Sequence, residues 1–266
     1  MNRAPDNWAS GRAYDAFMGR WSRRLAGEFV AWLVPKPGLR WLDAGCGTGA
    51  LTAAILETTA PRHVIGCDPS EAFIEYARGM IATPRATFAV AGIDRLPRIE
   101  PGYDYVVSGL VLNFLSSPVE ALREMAATLR PGGRIAAYVW DYPGRMEFLR
   151  LFWDEAAALD PAAVDLDEGR RFPLCREGGL EDAFIRSGLR DIRPGELTIP
   201  TVFAGFDDFW EPFEKGTGPA PSYAAGLGPD RRERLKARLR ERLAPAGDAP
   251  ISLVARAWTA SGELFR

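Results

Sequence analysis

Residues 40 to 49, Arg-Trp-Leu-Asp-Ala-Gly-Cys-Gly-Thr-Gly, constrain the fold more than any other stretch of this 266-residue chain. An apolar run ends in an acid, Asp43, and passes directly into glycines at alternate positions, Gly45, Gly47 and Gly49, before the apolar segment Leu51 to Leu56. Without a Cβ, these positions can take backbone conformations closed to other residues and let a ligand approach the main chain. The helix that follows aims its free amide groups at the same space. The pattern is a strand, a tight turn and a helix N-terminus, and it implies a small-molecule site at the end of a buried strand.

Gly45, Gly47 and Ala50 also satisfy the Gly-x-Gly-x-x-Gly/Ala dinucleotide fingerprint, with Asp68 near the distance of a ribose-binding acid. Three features argue against a dinucleotide: Asp43 ends the strand before the first glycine, Gly49 adds a third glycine, and Leu129-Arg130-Pro131-Gly132-Gly133 precedes a later strand. A carboxylate at Asp43 would repel a pyrophosphate, whereas it can hold a cationic ligand directly or through water. S-adenosylmethionine, which carries an ammonium and a sulfonium, fits better.

On these residues the chain resembles the class I S-adenosylmethionine-dependent methyltransferases, in order across about residues 40 to 140, and is similar to the small-molecule type that includes quinone-biosynthesis methyltransferases. The match of Trp41 to Gly49 with the family's first motif implies that Asp43, Gly45, Cys46, Gly47 and Gly49 wrap the methionine portion of the cofactor. Val64 to Ser70 matches the second motif, which implies that Asp68, followed by Pro69, accepts hydrogen bonds from the ribose hydroxyls. The third motif departs from the family: aligned on Leu96-Pro97, Gly92 stands where an acid is usual and Ile93 where a backbone donor meets the adenine. Either Asp94 or a water then takes the adenine amino group. Tyr103 to Ser108 resembles the fourth motif, whose exit at Ser108 borders the methyl group, and Leu122 to Tyr138 resembles the fifth.

The competing structural readings are ordinary ones. The glycines also suit a plain strand-to-helix turn, Asp68 a helix N-cap before Pro69-Ser70-Glu71, and Asp94 a solvated turn acid. The order of the motifs favours the ligand reading for the first two.

The sequence predicts an α/β, Rossmann-like doubly wound sheet of seven strands, with helical lid additions. Strands are expected near 40–43, 63–68, 86–91, 103–108 and 134–140, with helices near 50–58, 70–79 and 118–129. A sixth strand runs from about Gly188 to Thr201 and a seventh from Ile251 to Thr259. The family resemblance implies that the seventh inserts antiparallel between the fifth and sixth. The division expected is an N-terminal helical cover over 1–39 and a methyltransferase domain over 40–266, with lid additions at about 141–187 and 202–250.

Both additions leave the sheet where ligand crevices open, so they are expected to carry acceptor choice. Trp140 and Asp141 begin the first; Phe209 and Trp210 lie in the second, beside Phe203, Phe206 and Phe213. Alternatively, these rings pack the additions onto the sheet without touching a ligand. In the cover, Tyr14, Phe17, Met18, Trp21, Leu25, Phe29 and Trp32 recur at helical spacing with a break at Gly19. The resemblance makes Tyr14 and Arg20 candidates for contacts near the methionine carboxylate or the acceptor.

A formal net charge of −2 gives no global pull toward nucleic acid or anionic membrane, and a small-molecule methyl acceptor gains weight. The arginine-rich helix beginning near Pro229 repeats Leu235, Leu239 and Leu243 every four residues, which predicts one apolar stripe with the cations in water rather than an RNA track. Cys46, Cys67 and Cys175 are widely spaced and form no metal pattern, so no metal is expected. Met1 to Ser10 lacks the apolar run of a signal peptide, which makes cytoplasmic residence the expectation.

Catalysis in this family is chiefly positioning of a nucleophile in line with the cofactor's methyl group, and no strong base is compulsory. The sole histidine, His63, starts strand two at the end away from the crevice. If the acceptor needs deprotonation, Asp141, Tyr142 and Tyr14 are the candidates; no catalytic residue is assigned. An RNA or protein methyltransferase, or a cofactor-binding module without turnover, remains an alternative.

Overall fold

A computed structural model describes residues 15–214, 218–244, 247 and 249–264. Among them, seven strands form one sheet in the order β3-β2-β1-β4-β5-β7-β6. The strands are β1 (Arg40–Ala44), β2 (His63–Asp68), β3 (Ala86–Val90), β4 (Tyr103–Gly109), β5 (Leu129–Trp140), β6 (Arg190–Phe203) and β7 (Ile251–Glu263). The first five pair in parallel, and β7 runs antiparallel between β5 and β6, as the resemblance implies. Strand order reverses between β2-β1 and β4, and at such a switch point the chain leaves neighbouring strands toward opposite faces and opens a crevice.

The central strands are apolar almost throughout because both faces are covered: Trp41, Leu42, Val106, Val107, Ile135 and Val139 are fully buried. Helices α1 (Arg20–Leu33), α2 (Ala50–Thr58), α3 (Glu71–Met80) and α4 (Pro118–Ala126) supply that cover. Ser70 starts α3 as its N-cap, its hydroxyl accepting from the Phe73 amide at 3.4 Å. In the cover, the break at Gly19 is real: a π-helical turn, Asp15–Gly19, precedes α1, and α1 buries Trp21, Leu25, Ala26, Phe29 and Val30.

The fifth strand begins earlier than its sequence suggests. Leu129 already pairs with Tyr103 across a register irregularity, so α4 stops at Ala126 and the Arg130-Pro131-Gly132-Gly133 break lies inside β5. After it come α5 (Glu147–Leu159), the short α6 (Glu168–Arg171) and α7 (Gly179–Arg186). The segment between β6 and β7 holds α8 (Phe206–Glu214), α9 (Pro219–Gly226) and α10 (Pro229–Leu243). α9 forms within a Gly/Pro-rich stretch; Pro219 occupies its first turn, where a missing N–H costs nothing.

The second addition is fastened by rings and charges. Phe152 stacks on Phe213 with centroids 4.5 Å apart, Phe17 meets Phe213 edge-on at 5.6 Å, and Phe209 meets Phe203 edge-on at 5.2 Å. On α10, Arg238 and Arg242 hold Glu155 of α5 at 2.7 and 3.0 Å, while Arg240 reaches Asp207 of α8 at 2.9 Å. Burial raises the Glu155 carboxyl, but these two guanidiniums outweigh it and hold its pKa below the ordinary value. The expected apolar stripe is there, with Leu235 and Leu239 buried. Several of its cations bind the rest of the chain instead of facing only water.

Candidate functional site

A cavity of about 330 Å³ opens at the C-terminal ends of β1, β2, β4 and β5, a size within the range of small-molecule sites. Its floor is the glycine loop between β1 and α2. Gly45, Gly47 and Gly49 have φ of 79°, 51° and 89°, the left-handed region that favours glycine. The loop is pinned from below: the Gly45 and Cys46 amides both donate to the Cys67 carbonyl, at 2.8 and 2.9 Å, and the Gly49 amide donates to the Cys46 carbonyl at 2.8 Å. A Cβ at Gly45 would stand 2.6 Å from a Val111 methyl, whereas at Gly47 it would meet no protein atom within 4 Å. Gly47 lines the cavity, so that open space is part of it.

Two acids face this half of the cavity. Asp68, at the end of β2, accepts from the Gly47 amide through Oδ2 at 3.1 Å and from the Ser70 amide through Oδ1 at 2.9 Å. Each carboxylate oxygen retains accepting capacity. Burial raises the Asp68 pKa, and the Ser70 and Gly47 amides pull it back in part. Asp43, fully buried at the end of β1, accepts from the Thr52 hydroxyl at 2.7 Å through Oδ2, while its Oδ1 is buried without a partner. Burial pushes Asp43 up to about 7, with Asp68 adding to the rise and Thr52 opposing it. An orphaned carboxyl oxygen on the wall of a cavity is a seat for a cation or a hydrogen-bond donor. Burial also pushes the Cys67 thiol up to about 12 and Cys46 further, so neither cysteine is a nucleophile there.

The other half of the cavity has a different chemistry. The turn leaving β4 supplies Gly109, Leu110 and Val111, with Phe114 and Leu115 just beyond. Leu110 has φ of 63°, a strained conformation for a non-glycine residue, held by its amide donating to the Tyr138 carbonyl at 2.9 Å. The end of β5 contributes Tyr138, Trp140 and Tyr142, and α1 with the turn before it contributes Ser22 and Met18.

The candidate residues divide between wall and interior. Asp43, Gly45, Cys46, Gly47, Asp68, Pro69, Gly92, Ile93 and Trp140 all line the cavity. Gly49 does not, but its φ allows the turn into α2, and a Cβ there would lie 2.8 Å from Ile81. Ser108 is fully buried below the floor, its hydroxyl donating to the Ala44 carbonyl at 2.8 Å and tying β4 to β1. Asp94 stands at the rim with its side chain 76% exposed beside Arg95, so the structure puts its carboxylate in solvent rather than against the cavity.

Arg20 is displaced for a helical reason. Met18 and Ser22 face the cavity, and a residue midway between them points across the helix. Its guanidinium pairs with Asp208 at 3.0 Å and lies over the Trp21 and Phe203 rings. Asp141 is displaced by strand alternation: Tyr138, Trp140 and Tyr142 share one face, and Asp141 takes the other. There it binds Arg256 at 2.9 Å and accepts from the Gly144 and Arg145 amides at 3.0 and 2.8 Å. Phe209 and Trp210 are fully buried in the ring cluster behind α1, away from the cavity wall. Tyr14 lies outside the described residues. His63 sits at the opposite end of the sheet, 3.0 Å from the Thr87 hydroxyl.

Sequence reading passed over Met18, Ser22, Leu110, Val111, Phe114 and Tyr138 as wall residues. For Tyr138 the signal existed, since period-two spacing joins it to Trp140 and Tyr142. For Leu110 and Phe114 there was none, because a turn's direction depends on its dihedrals. Among the described residues no group of three or more His, Cys, Asp or Glu is placed to hold a metal ion, and no helix is long and apolar enough to cross a membrane.

Comparison with known proteins agrees with this geometry. Residues 42–133 match the family model described as "Methyltransferase domain". Probable tRNA methyltransferase 9B of Mus musculus is 33% identical over 108 residues, 40% of this chain and 22% of that protein. An uncharacterized 37.1 kDa protein of a Streptomyces fradiae transposon is 33% identical over 171 residues, 64% of this chain and 44% of that protein. In fold, the chain is similar to phosphoethanolamine N-methyltransferase 2 of Haemonchus contortus in complex with S-adenosyl-L-methionine, with a TM-score of 0.58 at 18% identity, over 95% of this chain and 56% of that one. The chain thus spans 22% to 44% of the length of these curated relatives. The fold is that of the class I methyltransferases. Residues 42–133 thus match a methyltransferase domain, and the sheet that carries them has the fold of a known methyltransferase.

Proposed function

We propose that this protein transfers a methyl group from S-adenosylmethionine to a small, partly apolar molecule bound in the β4–β5 half of the cavity. The observation that carries the reading is the division of one cavity into an acidic, glycine-floored half and an aromatic half. The residues present suit the cofactor. Gly47 leaves open space above its Cα, Asp43 holds an unpartnered oxygen toward a cationic group, and Asp68 keeps accepting capacity for ribose hydroxyls. The backbone at Gly92 and Ile93 is assigned to the adenine end, with Asp94 outside it.

When bound, the cofactor supplies an already activated electrophilic methyl group. The chain's own part is geometric and electrostatic. The glycine loop and Asp68 fix the cofactor's orientation, the strained turn at Leu110 and Val111 sets the boundary between the two halves, and Met18 with the rings of β5 excludes water. Among the described wall residues, the ionisable groups outside the acidic half are the phenols of Tyr138 and Tyr142. Proton removal, where the acceptor needs it, falls to those phenols or to solvent.

An RNA acceptor is the second reading, favoured by the similarity to the mouse protein. Against it, Arg231, Lys236, Arg238, Arg240 and Arg242 on α10 pair with acids of this chain. Release of S-adenosylhomocysteine is the test, with a small-metabolite library in one arm and unmodified tRNA in the other. Turnover with a metabolite supports the proposal, turnover with tRNA alone replaces it, and cofactor binding without turnover in either arm leaves a binding module.

A further inference from the structure

We propose that the methyl acceptor is an uncharged, flat, ring-bearing molecule that carries neither phosphate nor carboxylate, held between Phe114, Trp140, Tyr142 and Leu110. The inference rests on the reading of the cavity as a joint cofactor and acceptor site. Asp43 and Asp68 stand at the ends of β1 and β2, while the aromatic wall rises from β5, two strands from β1 and roughly 10 Å across the sheet. An acceptor in the aromatic half meets phenol hydroxyls, indole and hydrocarbon; no Lys, Arg or His lines the cavity among the described residues. Burying an anion there would strip its water with no countercharge from the described wall residues and two buried carboxyls about 10 Å away.

The wall is also built to take a ring. Tyr138, Trp140 and Tyr142 present one face of β5 and its extension, and Phe172, from the segment between α6 and α7, backs the rim. Its ring lies edge-on to Phe114 at 5.2 Å and tilted to Tyr142 at 6.0 Å, so these two walls are held in fixed orientation. Aromatic pairs prefer such offset and edge-on contacts, and a flat guest extends the same arrangement. Phe114 is 39% exposed, an apolar ring left partly in water at the mouth. A docked ring would cover it.

The test uses two probes with one ring system, 2-naphthol and 2-naphthoate, titrated calorimetrically near about pH 7.5, where the carboxyl is ionised and the naphthol is not. The protein is first saturated with S-adenosylhomocysteine. The expected result is that naphthol binds at least about tenfold more tightly than naphthoate, and that Phe114→Arg, a change at the half-exposed rim, narrows the gap by supplying the missing countercharge. Equal binding of the two probes, or binding of neither while S-adenosylhomocysteine binds, overturns the inference and leaves the cofactor reading standing. Failure of S-adenosylhomocysteine itself to bind overturns the cofactor reading, and the acceptor class with it.

Discussion

Replacing Gly47 and Gly45 by alanine, one at a time, separates what the glycine loop does for the fold from what it does for a ligand. Both residues have positive φ, and alanine there costs roughly 1 to 2 kcal/mol in backbone strain. At Gly47 the new methyl meets no protein atom within 4 Å, so strain is the whole stability effect, a fall in Tm of about 2 to 8 °C for a chain of this size. At Gly45 the methyl stands 2.6 Å from one Val111 carbon and 2.9 Å from another, and the overpacking adds about 1 to 3 kcal/mol. Ligand binding should order the other way in proportion to stability. The Gly47→Ala methyl projects into space a cofactor would fill, so S-adenosylhomocysteine affinity should fall by more than about tenfold, or about 1.4 kcal/mol, although this variant is the more stable of the two. Differential scanning calorimetry and isothermal titration at a temperature where both variants are folded provide the two readouts. Full affinity in Gly47→Ala would refute the reasoning, because the space above Gly47 would then be unused.

Four further outcomes follow from the same geometry. Asp43, raised to about 7, and Glu168, also raised to about 7 by burial against the opposing hydrogen bond from the Trp153 indole N–H, stabilise the apo protein below the unfolded carboxyl pKa; that contribution is lost as pH rises from about 4 through about 7. Asp43→Asn should flatten that part of the urea-unfolding profile, and affinity for the cationic cofactor should rise from about pH 6 to about pH 8 in wild type only. Phe209→Ala or Trp210→Ala should cost about 3 to 5 kcal/mol on thermal unfolding while acceptor kinetics of the folded protein stay unchanged, since both rings sit in the core behind α1. Glu155→Ala should cost only about 1 kcal/mol, because Arg238 and Arg242 are half-exposed and keep their water, whereas Asp94→Ala should leave S-adenosylhomocysteine affinity within about twofold of wild type by calorimetry.

The sheet was legible in the sequence because strands buried on both faces write long apolar runs, and the glycine loop because alternate glycines after an acid serve few other purposes. Most residues that line the acidic half, Asp43, Gly45, Cys46, Gly47, Asp68 and Pro69, were legible for the same reason. The acceptor half was not. Trp140 and Asp141 are neighbours in sequence, yet strand alternation sends one into the cavity and the other to Arg256. Arg20 carries the right charge for a cofactor carboxylate, but helical spacing from Met18 and Ser22 turns it toward Asp208. The ring-rich segment around Phe209 has the composition of a pocket and the packing of a core, a difference decided by which face of α8 meets α1. Leu110 gives no sign in sequence of its strained backbone, which comes from the Tyr138 carbonyl that anchors it.

The measurement closest to the central claim is calorimetric titration of S-adenosylmethionine into the wild-type protein and into Asp68→Ala, with thermal unfolding to verify that both are folded. One molecule should bind per chain, and removing the Asp68 carboxylate should weaken binding roughly ten- to a hundredfold, about 1.5 to 3 kcal/mol for hydrogen bonds to a charged acceptor. No binding by the wild-type protein, or the same affinity in a folded Asp68→Ala variant, would contradict the assignment of this cavity to S-adenosylmethionine.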